Sequence, residues 1–174
     1  MNPVTDDYPQ TEQIKVIASA IERQAELDRQ LRSHGVKDLV GDYGEILAHR
    51  ALGGVRTRPT TEGHDIYHPV YGRIQVKTRK FELQRDGRIK REGRAAGFIR
   101  ERPEQFDTLC HIVLNVDYSV AGAVLISYAC AWPEITRTSM KIAFSTSSSL
   151  ASRDITKEIA AAAIFTANSA IRLV

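Results

Sequence analysis

Two apolar stretches, Thr108–Val116 and Val120–Tyr128, constrain the fold more than any other feature of this chain. Both are rich in Val, Ile and Leu, and only Asp117, Tyr118 and Ser119 separate them. A strand with one wet face alternates polar and apolar residues, whereas near-continuous apolar runs of this length belong to strands buried on both sides. The two runs therefore read as central strands of a buried sheet, which needs helices to cover it.

The flanking sequence supplies those helices. Gln13–Ser33 carries Ile14, Ile17, Ile21 and Ala25 at spacings of three and four with charges between them, which predicts an amphipathic helix stopped by Gly35. A second helix is expected from Asp38 as its N-cap, through Val40, Tyr43, Leu47 and Ala51, with Gly53 and Gly54 ending it. Trp132–Thr138 reads as at least one helical turn, Lys141–Ser145 as a short strand, and the Ala-rich stretch Ile155–Ile171 as a closing helix. The order predicts an α/β (α+β) fold: a mixed central β-sheet flanked by helices. At 174 residues it is expected to form one domain over 1–174, with an N-terminal helix within 1–36.

Between the helices and the buried strands the sequence predicts a hairpin. Asp65–Tyr67 reads as a short strand and Arg73–Thr78 as a longer one with strict alternation, Ile74 and Val76 facing one way, Gln75 and Lys77 the other. A three-residue loop Val70–Gly72, with Gly72 in the left-handed conformation, would pair Asp65 with Lys77 and Tyr67 with Gln75. That arrangement sets Asp65, Gln75 and Lys77 on one face.

Charge enters where this hairpin ends. Lys77–Arg102 contains ten Lys or Arg against four Asp or Glu, a local charge of +6 that leaves −3 on the rest of a chain of net charge +3. A cationic segment on a slightly acidic body is the footprint of phosphate neutralisation. Taken by itself it also fits a solvated loop, and residues 79–102 read as a basic, mobile excursion in which Asp86-Gly87 marks a tight turn. The residues expected on nucleic acid are Arg79, Lys80, Arg85, Arg88, Lys90, Arg91 and Arg94.

Other chemistries find little support. No stretch reaches the roughly 18 apolar residues of a membrane helix, and Met1–Gln13 lacks the pattern of an export signal, so the cytoplasm is the expected compartment. Cys110 and Cys130 sit in apolar surroundings as free thiols. His34, His68 and His111 form no ligand spacing with them, and the run Ser145–Ser149 lacks the glycine context of a nucleophile elbow.

Phosphodiester hydrolysis calls for a divalent ion bound by oxygen ligands and a cation that steadies the nucleophile or the developing charge. Glu45 on a helix, Asp65 on a strand, and Gln75 and Lys77 two apart on the next strand form such a set. Individually, each also reads as an exposed helix or hairpin residue, so the joint order and spacing carry the argument.

The order Glu45, Asp65, Gln75-Val76-Lys77 resembles the active-site pattern of the PD-(D/E)XK superfamily, whose restriction-endonuclease-like fold supplies Glu from a helix and Asp followed by Glu-x-Lys from a strand hairpin. The likeness spans Asp38–Lys80. It implies a metal-dependent endonuclease acting on DNA with Mg2+ or Mn2+, in which Asp65 is the main metal ligand, Gln75 and the Val76 carbonyl complete coordination, Glu45 assists, and Lys77 positions the attacking water. Two departures stand out: His64 replaces the family's Pro before the Asp, and Gln75 replaces an acidic residue, as in Mrr-like branches. An amide brings an oxygen but no charge and should hold a metal more weakly than a carboxylate. His49, four residues after Glu45, and His64 are candidates for the surrounding shell, with Asp42 three residues before Glu45 on the same helix face.

The competing expectations are a catalytically weak or inactive nucleic-acid-binding module of the same fold, and an interaction protein whose basic segment is only solvated. Cutting both strands needs two sites, which makes a homodimer the arrangement to expect of a nuclease.

Overall fold

A computed structural model describes residues 11–57, 63–90, 105–137 and 152–170. The expected strand Lys141–Ser145, the Ser145–Ser149 run, and Arg91 and Arg94 lie outside them. The chain divides into two units, Met1–Leu39 and Val40–Val174.

The first unit holds helix α1, Thr11–Ser33. Its polar side is laced by contacts one turn apart: Gln24 Nε2 donates to Asp28 Oδ1 at 3.0 Å, Gln30 Nε2 to Glu26 Oε1 at 2.9 Å, and Arg29 pairs with Glu26 at 2.8 Å. Ile14, Ile17 and Ile21, the predicted apolar stripe, are exposed. Gly35, with φ of 83°, takes the left-handed conformation that ends a helix.

The second unit runs α2 (Leu39–Leu52), β1 (Val55–Arg56), β2 (Ile66–His68), β3 (Gly72–Lys80), β4 (Glu82–Leu83), β5 (Ile89–Lys90), β6 (Thr108–Leu114), β7 (Val120–Ser127), α3 (Tyr128–Arg137), β8 (Ser152–Asp154) and α4 (Thr156–Ala170). Six strands form one mixed sheet in the order β1-β2-β3-β6-β7-β8, and β4 and β5 form a separate hairpin. β3 and β6 are parallel and the other neighbours antiparallel. The α/β class read from the sequence is the one observed, and the two apolar runs are indeed central: every residue of β6 is buried.

Side chains alternate between two cores. On one face Leu47 and Ala48 of α2 and Ile159 of α4 pack with Ile66, Ile74, Val76, Cys110, Ile112, Leu114, Ala123 and Leu125. On the other face Ala131 of α3 joins Phe106, Leu109, Val124 and Ile126, backed by Tyr128 and Trp132. Fully burying one such aliphatic side chain contributes roughly 1.5–3 kcal/mol, so the sheet is held from both sides.

Helix α2 lies so close to β3 that no side chain fits between them at Gly44, where a Cβ would come within 1.6 Å of Thr78 Oγ1. It ends as the two glycines predict: the Gly53 N–H bonds to the His49 carbonyl at 2.8 Å, and Gly53 and Gly54 have φ of 80° and 90°.

The β2–β3 hairpin corrects the expected register. Ile66 pairs with Ile74, Tyr67 with Arg73 and His68 with Gly72, two residues from the predicted pairing of Asp65 with Lys77 and Tyr67 with Gln75. The reason is a side chain. His68 Nδ1 accepts the N–H groups of both Val70 and Tyr71 at 3.1 Å, closing the turn around Pro69–Tyr71 rather than Val70–Gly72. Gly72 does adopt the left-handed conformation, with φ of 68°. Because the shift is an even number of residues, the faces are preserved.

Further departures concern boundaries. β3 continues through Arg79 and Lys80, placing both in the sheet rather than in a basic excursion, and Asp86-Gly87 turns the β4–β5 hairpin with Gly87 at φ of 78°. β1, β4, β5 and β8 are two or three residues long, too short to leave a periodic signal.

Candidate functional site

The candidate site forms where β2 stops and the edge of β3 opens. In an antiparallel pair each strand offers its N–H and C=O groups to the neighbour at every second residue. At Ile74 that neighbour is still present, since the Asp65 N–H donates to the Ile74 carbonyl at 2.9 Å. At Val76, among the described residues, no β2 backbone pairs with the edge, and side chains reach it instead. Asp65 Oδ2 accepts the Val76 N–H at 2.7 Å, and the Gln75 side-chain amide donates to the Val76 carbonyl at 3.3 Å. Gln75 Nε2 also donates to Asp65 Oδ2 at 2.7 Å. Asp65 is fixed from its other side by the Thr57 N–H, which bonds to its carbonyl at 2.9 Å.

The orientation of the Gln75 amide follows from its neighbours. An ionised carboxylate and a backbone carbonyl are acceptors only, so the group set against both must be the amide NH2. The opposite rotamer would press Oε1 against two other oxygens. Gln75 is 5% exposed, so water cannot relieve such a clash.

Glu45 approaches from α2 and is bound by Arg56 of β1, with Oε2 at 3.2 Å from the guanidinium. Burial, then the charge of Asp65, push the Glu45 carboxyl above its ordinary range, while Arg56 pulls the other way. Two carboxylates in each other's field favour a cation between or beside them. Lys77 shares the Gln75 face of β3 by strand alternation and is partly exposed. In the parallel register it stands beside His111 of β6. His111 is fully buried, and burial and the charge of Arg79 push its imidazole down to about 4, so it is neutral at physiological pH.

Of the residues singled out from the sequence, Asp65, Gln75 and Val76 form one hydrogen-bonded unit, Glu45 lies within electrostatic reach of it, and Lys77 lies along the same strand face. The two histidines stand elsewhere. His49 Nε2 contacts the Gly54 carbonyl at 3.3 Å, tying off the end of α2. His64 faces Arg73 and Asp107, and burial and Arg73 lower its pKa. Lys80 Nζ lies 4.3 Å from the centre of the Tyr118 ring, and Arg85 and Arg88 are exposed around the β4–β5 turn.

Three participants escaped the sequence reading. Arg56 is one, because its pairing with Glu45 needs β1 beside β2. A second is the clamp in which both oxygens of Asp107 bind the Arg73 guanidinium, at 3.0 and 2.9 Å, holding β3 to the start of β6 and the Asp107 carboxyl down to about 2. His111 is the third, and it left a signal: a lone polar residue within an apolar run is a buried polar group whose presence calls for a reason.

Among the described residues, no group of three or more His, Cys, Asp or Glu side chains is placed to hold a metal, so a cation here would depend on neutral oxygens as well. No described helix is long and apolar enough to cross a membrane. No protein-family model matches the chain, and no curated protein matches it.

Proposed function

We propose that the chain is a metal-dependent nuclease of the restriction-endonuclease-like kind, hydrolysing phosphodiester bonds in DNA in the cytoplasm. The observation that carries the reading is the direct contact of Asp65 with Gln75 and the Val76 backbone at the notch where β2 leaves β3. Three of the four residues of the expected metal set meet there, with Glu45 within electrostatic reach and Lys77 two positions beyond Gln75 along the strand.

The donor set fits a hard divalent cation. Asp65 offers a carboxylate, Val76 a carbonyl and Gln75 an amide oxygen once its amide turns over, and the first two already converge on one point, the Gln75 nitrogen. Glu45 adds charge nearby. Bound Mg2+ or Mn2+ would supply polarisation of the phosphate and a more acidic water. Asp65 anchors the site, its backbone held on both sides. The Lys77 ammonium steadies the attacking water and the charge that develops on the phosphate. Arg79, Lys80, Arg85 and Arg88 grip the backbone of the nucleic acid, with Lys90, Arg91 and Arg94 continuing the basic run.

The test is cleavage of supercoiled plasmid in Mg2+ or Mn2+ by the wild type, Asp65→Ala and Lys77→Ala. Metal-dependent cutting that disappears in both variants is the expected result. A clean wild type that leaves the plasmid intact in both metals sinks the enzyme.

A second reading, a nucleic-acid-binding module that does not cut, is favoured by one observation: position 75 contributes no charge, and its nitrogen faces Asp65. DNA retention over a salt series tests it, because phosphate contacts must weaken steeply as salt rises. Absence of retention at low salt removes both readings.

A further inference from the structure

In most oxygen-lined cation sites the metal-free state carries a cost, because acidic ligands are left facing one another. Here the oxygens of Asp65 and Val76 converge on a donor nitrogen that belongs to the chain itself. Gln75 Nε2 lies 2.7 Å from Asp65 Oδ2 and 3.3 Å from the Val76 carbonyl oxygen, in a residue only 5% exposed. The amide hydrogens carry partial positive charge, so the group does electrostatically what a bound cation would do there. A carboxylate at the same position would instead set a second anion against Asp65, with Glu45 contributing a third charge nearby.

We propose that Gln75 is a built-in cation mimic: in the metal-free protein its amide nitrogen occupies the place between Asp65 and the Val76 carbonyl, and the side chain draws back and turns its amide over, offering Oε1, when a divalent cation takes that place. The terminal torsion of Gln is broad and roughly two-fold, and the two ends of the amide are nearly the same size, so the turn itself meets little resistance, and rotation about the inner torsions of the side chain draws the amide back by one metal–oxygen distance, roughly 2.1 Å. The chain is thereby stable without metal, at the expense of affinity for it. This rests on the metal-binding part of the reading above, although it does not require that the protein cut DNA.

The alternative is that Gln75 only caps the open edge of β3, and Gln75→Glu separates the two. The full chain and this variant are compared by thermal unfolding in chelator and in rising Mn2+ or Mg2+, and by counting bound Mn2+ with electron paramagnetic resonance. In chelator the variant is expected to unfold at least about 3 °C below the wild type. With Mn2+ it should recover fully and bind the ion on the order of tenfold more tightly than the wild type, since ligand charge is a main determinant of divalent-cation affinity. Asp65→Asn in the variant background should abolish the recovery. A variant too unstable to fold in chelator is refolded by dialysis into Mn2+, and recovery of the folded state counts as the same result.

A variant as stable as the wild type in chelator overturns the proposal. So does one that metal leaves destabilised or unfolded, and so does equal Mn2+ binding by the two proteins. Recovery in Mn2+ with no cleavage of DNA by the wild type leaves the cation mimic standing and removes only the nuclease.

Discussion

Replacing Gly44 by Ala tests how the site is supported. In the middle of an exposed helix this change should stabilise, because Ala exceeds Gly by roughly 1 kcal/mol in helix propensity. Gly44 is not exposed. An added Cβ would come within 1.6 Å of Thr78 Oγ1, 2.6 Å of Thr78 Cβ and 2.8 Å of Thr78 Cγ2, so either α2 must lift from β3 or the strand must bend. Overpacking of this severity costs about 3 kcal/mol. Set against the propensity gain it leaves a net loss of about 2 kcal/mol, which lowers Tm by roughly 4–8 °C for a domain of this size. Glu45 is the next residue, so the displacement also moves it away from Asp65. Urea unfolding of wild type, Gly44→Ala, Thr78→Ala and the double variant measures the effect and its origin. Thr78→Ala removes Oγ1 and Cγ2, the nearest and third-nearest of those atoms, and so should recover part of the loss in the double variant. A Gly44→Ala protein as stable as the wild type would refute the reasoning, and a loss that Thr78→Ala leaves untouched would place its cause elsewhere.

The remaining predictions concern buried titratable groups. His111 is neutral in the fold, with a pKa of about 4 against an ordinary 6.5. Because its folded value is depressed, the stability it leaves intact above pH 6.5 is lost as the pH falls towards 4, by up to about 3 kcal/mol at 1.36 kcal/mol per unit. Urea midpoints at pH 7, 6 and 5 should fall in the wild type and fall less in His111→Gln; parallel slopes would show that another group is responsible. Burial and then the charge of Asp65 push the Cys110 thiol up to about 12, so thiol reagents should modify Cys130 in the folded protein and Cys110 only after unfolding. Modification of both at equal rates under native conditions would contradict the buried placement of β6.

Much of the architecture was legible because it is carried by long, uniform signals. The apolar runs at 108–116 and 120–128 announced β6 and β7, the Ile spacing announced α1, and Gly53-Gly54 marked the end of α2 to the residue. Of the five strands of two or three residues, β1, β4, β5 and β8 left no such signal, and β2 was legible only through the longer β3 that it pairs with. The site divides in the same way. Strand parity alone placed Gln75 and Lys77 on one face, and parity survived the wrong register because the error was even. Two further features were invisible: the imidazole of His68 that moves the turn, and Arg56, which finds Glu45 only once β1 has joined the sheet.

The sequence by itself determined which residues share a face of β3, the mixed α/β class, and the order of the polar residues that make up the candidate site. These are properties of local periodicity, repeated every two residues in a strand and every three to four in a helix. Only the tertiary structure decided that β2 leaves β3 at Val76, that Asp65 fills the vacated edge, and that the Gln75 amide turns its nitrogen towards Asp65. Those facts depend on which backbone groups lose a partner when distant segments meet. A buried polar group must then be satisfied by whatever side chain is in reach.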